Sequence, residues 1–394
     1  TAETYDAVMM IGQAAMHENG ANMASHLSMT GVDYAGASGQ HTFLSNGDVA
    51  GAGYDICQFN ALSSTDIYFT CMEWWSAIDG IQATPFVGMT VKIGFLNPMT
   101  GPIAVYAPGF GVAANVALGM MNVAGWNSGL QFEMVMVDSG CSGDVAAAGA
   151  QTLLDAGVVG VVGAACSGAT MAANAVLSAA GVPMISYAST NPGLSDATGY
   201  PNFFRVVPSD ALQGPALNAV VAADGGSDVA LMYMTNDYGS GLADAFEGAW
   251  GTDNLWTKIG YEDTQTDFAA EVQAIADAGC GSIVMVSYST DGAAILETAA
   301  VLGVSLPTFG ADGIADAAFL EDFSVPAIAN GVMATKPRAG SSAGDFVDEC
   351  SMDETCAGGI YTAETYDAVM MIGQAAMHEN GANMASHLSM TGVD

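Results

Sequence analysis

The stretch GVVGVVGAACSGATMAANAVLSAAGVPMISYASTNP, residues 157–192, decides how the rest of the chain is read. The apolar run Val158–Val162 predicts a buried strand, the small residues after it a turn, and the alanine-rich segment a helix. Pro183–Tyr187 predicts a second strand that ends in a Ser/Thr loop. Strand, helix, strand is the unit of a parallel sheet, whose strands are covered on both faces and read as continuous apolar runs. Hydroxyls and small residues gather where each strand stops: Ser167 and Thr170 at one end, Ala188, Ser189 and Thr190 at the next. Open parallel sheets take ligands outside the carboxyl ends of their strands, where loop amides and helix N-termini converge. Hydroxyls in those places either cradle a small carboxylate or cap a helix and close a turn, and the pattern serves both readings.

Working outward, the same alternation recurs. VKIGFLNP from Val91, a helix from about Pro108 to Asn122, QFEMVMVD and a helix from Asp144 to Ala156 precede the opening stretch, and Phe203–Pro208 ends the set. A second set starts at Asp228–Met234. It continues through helices at Gly241–Trp250 and Phe268–Ala278, a strand at Ser282–Ser287, a helix at Gly292–Leu302, PTFGAD, and a strand at Gly331–Ala334. Two βαβ series in a chain of 394 residues imply two doubly wound lobes with a ligand cleft between them. Residues 34–60 carry short strands around Asn46-Gly47-Asp48, ending in a strand at Ala52–Phe59. Residues 61–89 lack periodicity and read as a connector, or as a third small element packed on a lobe.

Composition narrows the function. Hydrophobic residues are 51% of the chain, enough for sizeable cores, and the 41 acidic residues face only five basic ones for a formal charge of −36. Such a surface repels phosphate backbones and anionic lipid, which disfavours nucleic acid and membrane-surface partners. No uninterrupted apolar run reaches the roughly 18 residues of a membrane span, and the first residues read as a helix rather than a leader. Neither GxSxG, HExxH, a P-loop nor a Cys/His cluster occurs, so neither an enzyme nor a metal or other cofactor is expected. Of the seven cysteines, Cys350 and Cys356 enclose a short loop, Cys57 and Cys71 flank another, Cys141 and Cys166 each follow a strand, and Cys280 is left over. Disulfides in an oxidising compartment and reduced buried thiols both fit that spacing.

Residues 1–33 and 362–394 are identical at every position. Identity without one difference points to a recent duplication, an engineered permutation, or an excerpt of a tandem or polymeric array. Each copy reads as two amphipathic helices broken near Gly381 or its counterpart, with Ala363, Tyr366, Val369, Met370 and Ala375 on helical spacing. Its histidines, His17, His26, His378 and His387, read as helix-surface residues.

Several motifs taken together resemble a known family: IGFLNPMTGPIAVY (93–106), the Cys141–Cys166 spacing, CSGAT (166–170), ISYAST (185–190), NDYGSGLADAF (236–246) and TFGADG (308–313). They are similar to the periplasmic amino-acid-binding proteins of the leucine/isoleucine/valine type. The resemblance covers Val91–Asp394 and continues at Tyr34–Phe59, so the chain reads as circularly permuted or cut from a repeat. It implies a type I periplasmic binding fold: two Rossmann-like α/β lobes joined by a three-strand hinge. Lobe 1 would comprise residues 90–208 and 337–394, and lobe 2 residues 209–336, with crossings near Pro208–Leu212, Lys336–Gly340 and Gly31–Gly39. The duplicated segment 1–33, the returning strands 34–60 and the connector 61–89 complete the division.

The resemblance also implies roles. Ser167 donates to a ligand carboxylate with backbone help at Ala188, and Thr190 contacts both carboxylate and ammonium. Tyr106, Tyr238 and Tyr288 line the cleft, Tyr361 packs over the ligand side chain, and Asp312 takes the ammonium where the family carries a glutamate, one methylene longer. Cys141 joined to Cys166 would pin the loop that holds Ser167. The implied function is extracytoplasmic capture of an amino acid, apolar or branched-chain, for the membrane subunits of an ABC importer. The duplication leaves open a structural alternative, a cell-surface filament or array that self-associates through the repeated segment. The chemistry is coherent by itself: a zwitterion needs hydroxyl and amide donors at one end and an acceptor carboxylate at the other, both desolvated.

Overall fold

A computed structural model describes residues 7–11, 34–36, 39–41, 54–61, 67–76, 80–82, 89–126, 130–338, 344–377, 384–385 and 388. The chain divides into two compact units, one of residues 1–92, 118–133 and 373–394, the other of residues 93–117 and 134–372.

In the first unit, β1 (Tyr34–Gly36) pairs antiparallel with β2 (Gly39–His41). A separate antiparallel sheet joins β3 (Tyr54–Ala61), β4 (Ile67–Ser76) and β5 (Gly80–Gln82). The connector expected at 61–89 therefore contains the strands β4 and β5. Its IYFTCMEWWS segment is rich in β-branched and aromatic residues but lacks strict alternation, so the pairing with β3, rather than the local pattern, makes it a strand. The backbone register sets Cys57 opposite Cys71; a bond between them remains an expectation. The Asn46–Asp48 turn and the Gly31–Gly39 crossing fall wholly or mainly outside the described residues.

The two parallel sheets carry the site. The first contains β6 (Met89–Asn97), β7 (Leu130–Asp138), β8 (Gly160–Val162), β9 (Met184–Ser186) and β10 (Phe203–Arg205) in the order β7-β6-β8-β9-β10. The second contains β11 (Val229–Met234), β12 (Leu255–Tyr261), β13 (Ser282–Val286), β14 (Thr308–Gly310) and β15 (Met333–Ala334) in the order β12-β11-β13-β14-β15. Both follow the doubly wound order 2-1-3-4-5, whose switch point lies between the first and third strands. Register is set by apolar pairs such as Phe95 opposite Val162, Val161 opposite Met184 and Val284 opposite Phe309. β8, β9, β13 and β14 are buried at every residue, as strands covered on both faces must be. The edge strand β12 was not expected. Its LWTKIGY alternates between half-buried and exposed positions, which offers no continuous apolar run to read.

The helices are α1 (Ala107–Trp126), α2 (Gly143–Asp155), α3 (Ser167–Ala179), α4 (Asp210–Ala223), α5 (Asp237–Trp250), α6 (Ala269–Asp277), α7 (Ser289–Leu302), α8 (Gly344–Cys350) and α9 (Thr362–Met377). α5 begins four residues before its expected start because Asn236 caps it, its side chain accepting from Gly239 N at 2.9 Å. Gly239 itself lies so close to β11 that a Cβ there would collide with Met234 O. By length and composition 104–122 could cross a membrane, but Phe110, Ala113, Ala114, Ala117 and Met121 are buried, the composition of a core helix. The first core centres on Tyr187, packed on Phe95 and Phe110 with its hydroxyl donating to Leu96 O at 3.2 Å. The second gathers Leu231, Met232, Phe246, Phe268, Ile275 and Phe309.

Candidate ligand-binding site

Every strand adjoining a switch point delivers a candidate residue just past its carboxyl end. Tyr106 closes a 3-10 turn after β6, Ser167 opens α3 after β8, and Ala188 and Thr190 lie in the loop after β9. Tyr238 lies in the first turn of α5 after β11, Tyr288 caps α7 after β13, and Asp312 opens a 3-10 turn after β14. Tyr361, in left-handed backbone with φ +58°, precedes α9. Seven of the eight thus lie past strand ends, and Tyr361 precedes a helix.

Seven of the eight residues line a single pocket: Tyr106, Ser167, Ala188, Tyr238, Tyr288, Asp312 and Tyr361. Thr190 does not line it. Ile103, Phe110, Ala165, Gly313 and Ile360, which the sequence did not single out, complete the wall. The pocket volume is about 30 Å³, and hydrogen bonds cross it, so the lobes stand closed on each other. Tyr106 Oη donates to Gly313 O at 3.2 Å across the cleft, and Thr290 Oγ1 donates to Pro102 O at 3.2 Å. Ile360 N donates to Asp316 Oδ2 at 2.5 Å, and Asn191 Nδ2 bonds Asp237 O. A larger hollow of about 410 Å³ near Lys336, Phe346 and Gly358–Glu364 is lined largely by apolar side chains and backbone.

In the first lobe the hydroxyls divide their work. Ser186 Oγ donates to Ala164 O at 2.6 Å and accepts from Ser189 N at 2.9 Å and Ala188 N at 3.3 Å. Thr170 Oγ1 reaches Ala164 O at 3.0 Å and Ser189 Oγ at 2.7 Å. Ser189 Oγ also lies 3.0 Å from Ala164 O and Ala165 O. Thr170, Ser186 and Ser189 are therefore ties that bind the two loops together, while Ser167 faces the pocket and accepts from Asn191 N at 3.3 Å. The Ala188 amide expected to help a carboxylate is turned toward Ser186 Oγ. Cys141 and Cys166 are bonded, Cα atoms 5.3 Å apart, immediately before Ser167; Cys350 and Cys356 form a second disulfide, and Cys280 is a free buried thiol.

The second lobe centres on Asp312. Its Oδ1 accepts from Tyr238 Oη at 2.8 Å and Gln213 Nε2 at 2.9 Å, and its Oδ2 from Tyr361 Oη at 2.7 Å. A carboxylate offers about four lone-pair sites, so three donors orient the group and leave it able to accept once more. Tyr238 also accepts from Gly313 N at 3.1 Å and stacks on Tyr288, centroids 5.0 Å apart and planes 7° apart. Burial raises the Asp312 pKa, opposed by the hydroxyls of Tyr361 and Tyr238 and the amide of Gln213. Burial and then the Asp312 charge push Tyr238, Tyr288 and Tyr361 well above the usual phenol value, so all three remain neutral. Gln213 and, beside it on α4, Asp210 were missed at the sequence level: they sit on a helix in the second half of the crossing from β10, with no motif to mark them.

A model of the family described as periplasmic binding protein matches residues 90–388. The chain belongs to the periplasmic binding proteins, type I, of the leucine/isoleucine/valine-binding family. It is 27% identical over 306 residues to the leucine-, isoleucine-, valine-, threonine-, and alanine-binding protein of Pseudomonas aeruginosa, covering 75% of this chain and 80% of that one. The branched-chain amino acid transporter substrate binding protein of Streptococcus pneumoniae, solved in complex with isoleucine, matches with a TM-score of 0.67 and 26% identity over 76% of this chain and 88% of its own. A Rhodopseudomonas palustris solute binding protein in complex with 4-hydroxybenzoate has the same TM-score at 16% identity, covering 77% of this chain and 84% of that chain, a likeness of fold alone. The two-lobed α/β fold read from the motifs is this family's fold, and this periplasmic binding protein is a solute binder, not an enzyme.

Proposed function

We propose that this periplasmic binding protein captures an amino acid with an apolar or branched side chain and works outside the cytoplasm, delivering it to the membrane subunits of an ABC importer. The observation that carries the reading is the polarity of the pocket: Ser167 on one wall, the buried Asp312 on the other, and Tyr106, Phe110, Tyr288, Ile103 and Ile360 between them. A zwitterion placed there finds a hydroxyl donor for its carboxylate and an acceptor for its ammonium, while its side chain gains about 25 cal/mol per Å² of apolar surface buried. The relatives named for leucine, isoleucine and valine support the choice of side chain, and two disulfides suit an oxidising compartment. Entry requires the lobes to part, since hydrogen bonds between them close the cleft. A thermal-shift screen of the twenty amino acids tests this: leucine, isoleucine or valine raises the melting temperature and Ser167→Ala weakens the effect. No shift with any amino acid refutes the reading.

One observation favours the array as a second reading. Val8 and Ile11 are 64% and 53% exposed, whereas their counterparts in the other copy, Val369 and Ile372, are both 0% exposed. The same apolar face is covered in one copy and open in the other, as expected if the first copy serves another module. Native material that gives an intact mass of a single module, and sediments as a monomer at high concentration, excludes it.

A further inference from the structure

Asp210 does not line the pocket just described, yet it is a fully buried acid. It is 0% exposed, and neither carboxylate oxygen has a hydrogen-bond partner among the described residues. It opens α4, and its backbone N–H donates to Thr190 O at 2.9 Å. The Thr190 hydroxyl, 1% exposed, faces the Asp210 carboxylate and opposes the rise in its pKa. One turn along the same helix, Gln213 donates to Asp312 at 2.9 Å, so one helical turn carries Asp210 and holds the second buried carboxylate, and each acid feels the other's charge.

The nearby charge of opposite sign is Arg205, and its donors point elsewhere: Nη1 to Ser189 O at 3.2 Å and Asn191 O at 3.0 Å, Nη2 to Ser195 Oγ at 2.7 Å. The other groups whose fields meet at the pair are the neutral phenols of Tyr238, Tyr288 and Tyr361. Two adjacent buried carboxylates with one half-buried, otherwise engaged guanidinium cannot both be ionised cheaply.

We infer that Asp210 is a second acidic residue of the binding site, and that Asp210 and Asp312 hold one proton between them until a cationic amine displaces it. The ligand enters as the ammonium ion it already is in water, the shared proton leaves to solvent, and both carboxylates become anionic around the new cation. No other bond changes. Burial and the mutual repulsion of the two acids raise the pKa of Asp210, with the Thr190 hydroxyl and then Arg205 opposing, which is the direction this exchange requires. The inference rests on the amino-acid reading above and goes beyond it, because a single acceptor carboxylate would bind the same ligand without moving a proton.

Calorimetry with L-leucine near pH 7, in two buffers of different ionisation enthalpy, counts the protons released. The expected result is about one proton per leucine bound, with affinity falling about tenfold per pH unit below the range in which the pair titrates. In Asp210→Asn, leucine still binds, proton release drops to near zero and the pH slope flattens. Leucine binding by the wild-type protein without proton release overturns the inference and leaves the amino-acid reading intact. Absence of binding by any amino acid sinks both. Should Asp210→Asn fail to fold, the wild-type proton count alone decides.

Discussion

Replacing Tyr106 by Phe removes one atom from the cleft and should change binding more than folding. In the closed form the Tyr106 hydroxyl of one lobe donates to Gly313 O of the other at 3.2 Å, both groups buried and 207 residues apart in sequence. Burial pushes the Tyr106 pKa far above the phenol range, with nearby acids adding to the rise, so the hydroxyl donates at every usable pH. In Tyr106→Phe the ring still fills its place, but the Gly313 carbonyl is left desolvated without its donor. The net bond is worth about 1 kcal/mol and the orphaned acceptor costs about 1–3 kcal/mol. A loss of roughly 1–2 kcal/mol corresponds to a factor of about 5–30. The whole of it falls on the closed form, because an open cleft exposes both groups to water. Leucine affinity, measured by calorimetry, should therefore drop about 5- to 30-fold, while the unfolding midpoint without ligand moves little. Small-angle scattering of the ligand-free variant should show a larger radius of gyration than the wild type. Unchanged affinity together with unchanged scattering refutes the idea that this bond latches the lobes.

Two further outcomes follow from the geometry. Reducing Cys141–Cys166, or replacing both by Ser, frees the turn before Ser167 and removes a cross-link of a kind worth about 2–4 kcal/mol; ligand affinity should weaken while circular dichroism still reports the folded state, and unchanged affinity after verified reduction contradicts the reading. Asp291 is buried beside Tyr261, which donates to it, and burial pushes its pKa up to about 7. Its folded pKa exceeds its unfolded one, so the protein loses stability as pH rises from about 4 to about 7, at up to about 1.4 kcal/mol per unit. Denaturation series of wild type and Asp291→Asn at both ends of that range should show the variant gaining on the wild type by up to about 4 kcal/mol, and parallel curves contradict it.

Much of the architecture was legible in sequence because parallel strands announce themselves. Residues 157–192 are continuous apolar runs ending in small polar residues, and an exact period of strand and helix leaves few topologies. Seven of the eight residues that the family resemblance implied line the pocket, six of them past a strand's carboxyl end. What depends on long-range partners was not legible. β12 and β4 are strands because neighbours pair with them, not because their own patterns say so. That Thr170 and Ser189 tie loops while Ser167 faces the ligand space depends on which carbonyls come within 3.0 Å once β8 and β9 lie side by side.

The sequence by itself determined that this chain is an acidic, two-lobed solute binder with its chemistry at the strand ends, because periodicity, charge and motif are local properties of the polymer. Only the tertiary structure decided that Asp312 is held by Tyr238, Tyr361 and Gln213, and that Asp210 is buried next to it without a partner. Those groups come from four separate segments. Whether a carboxylate carries a proton depends on the water it has lost and the charges that folding has brought near, and neither is written in its immediate neighbours.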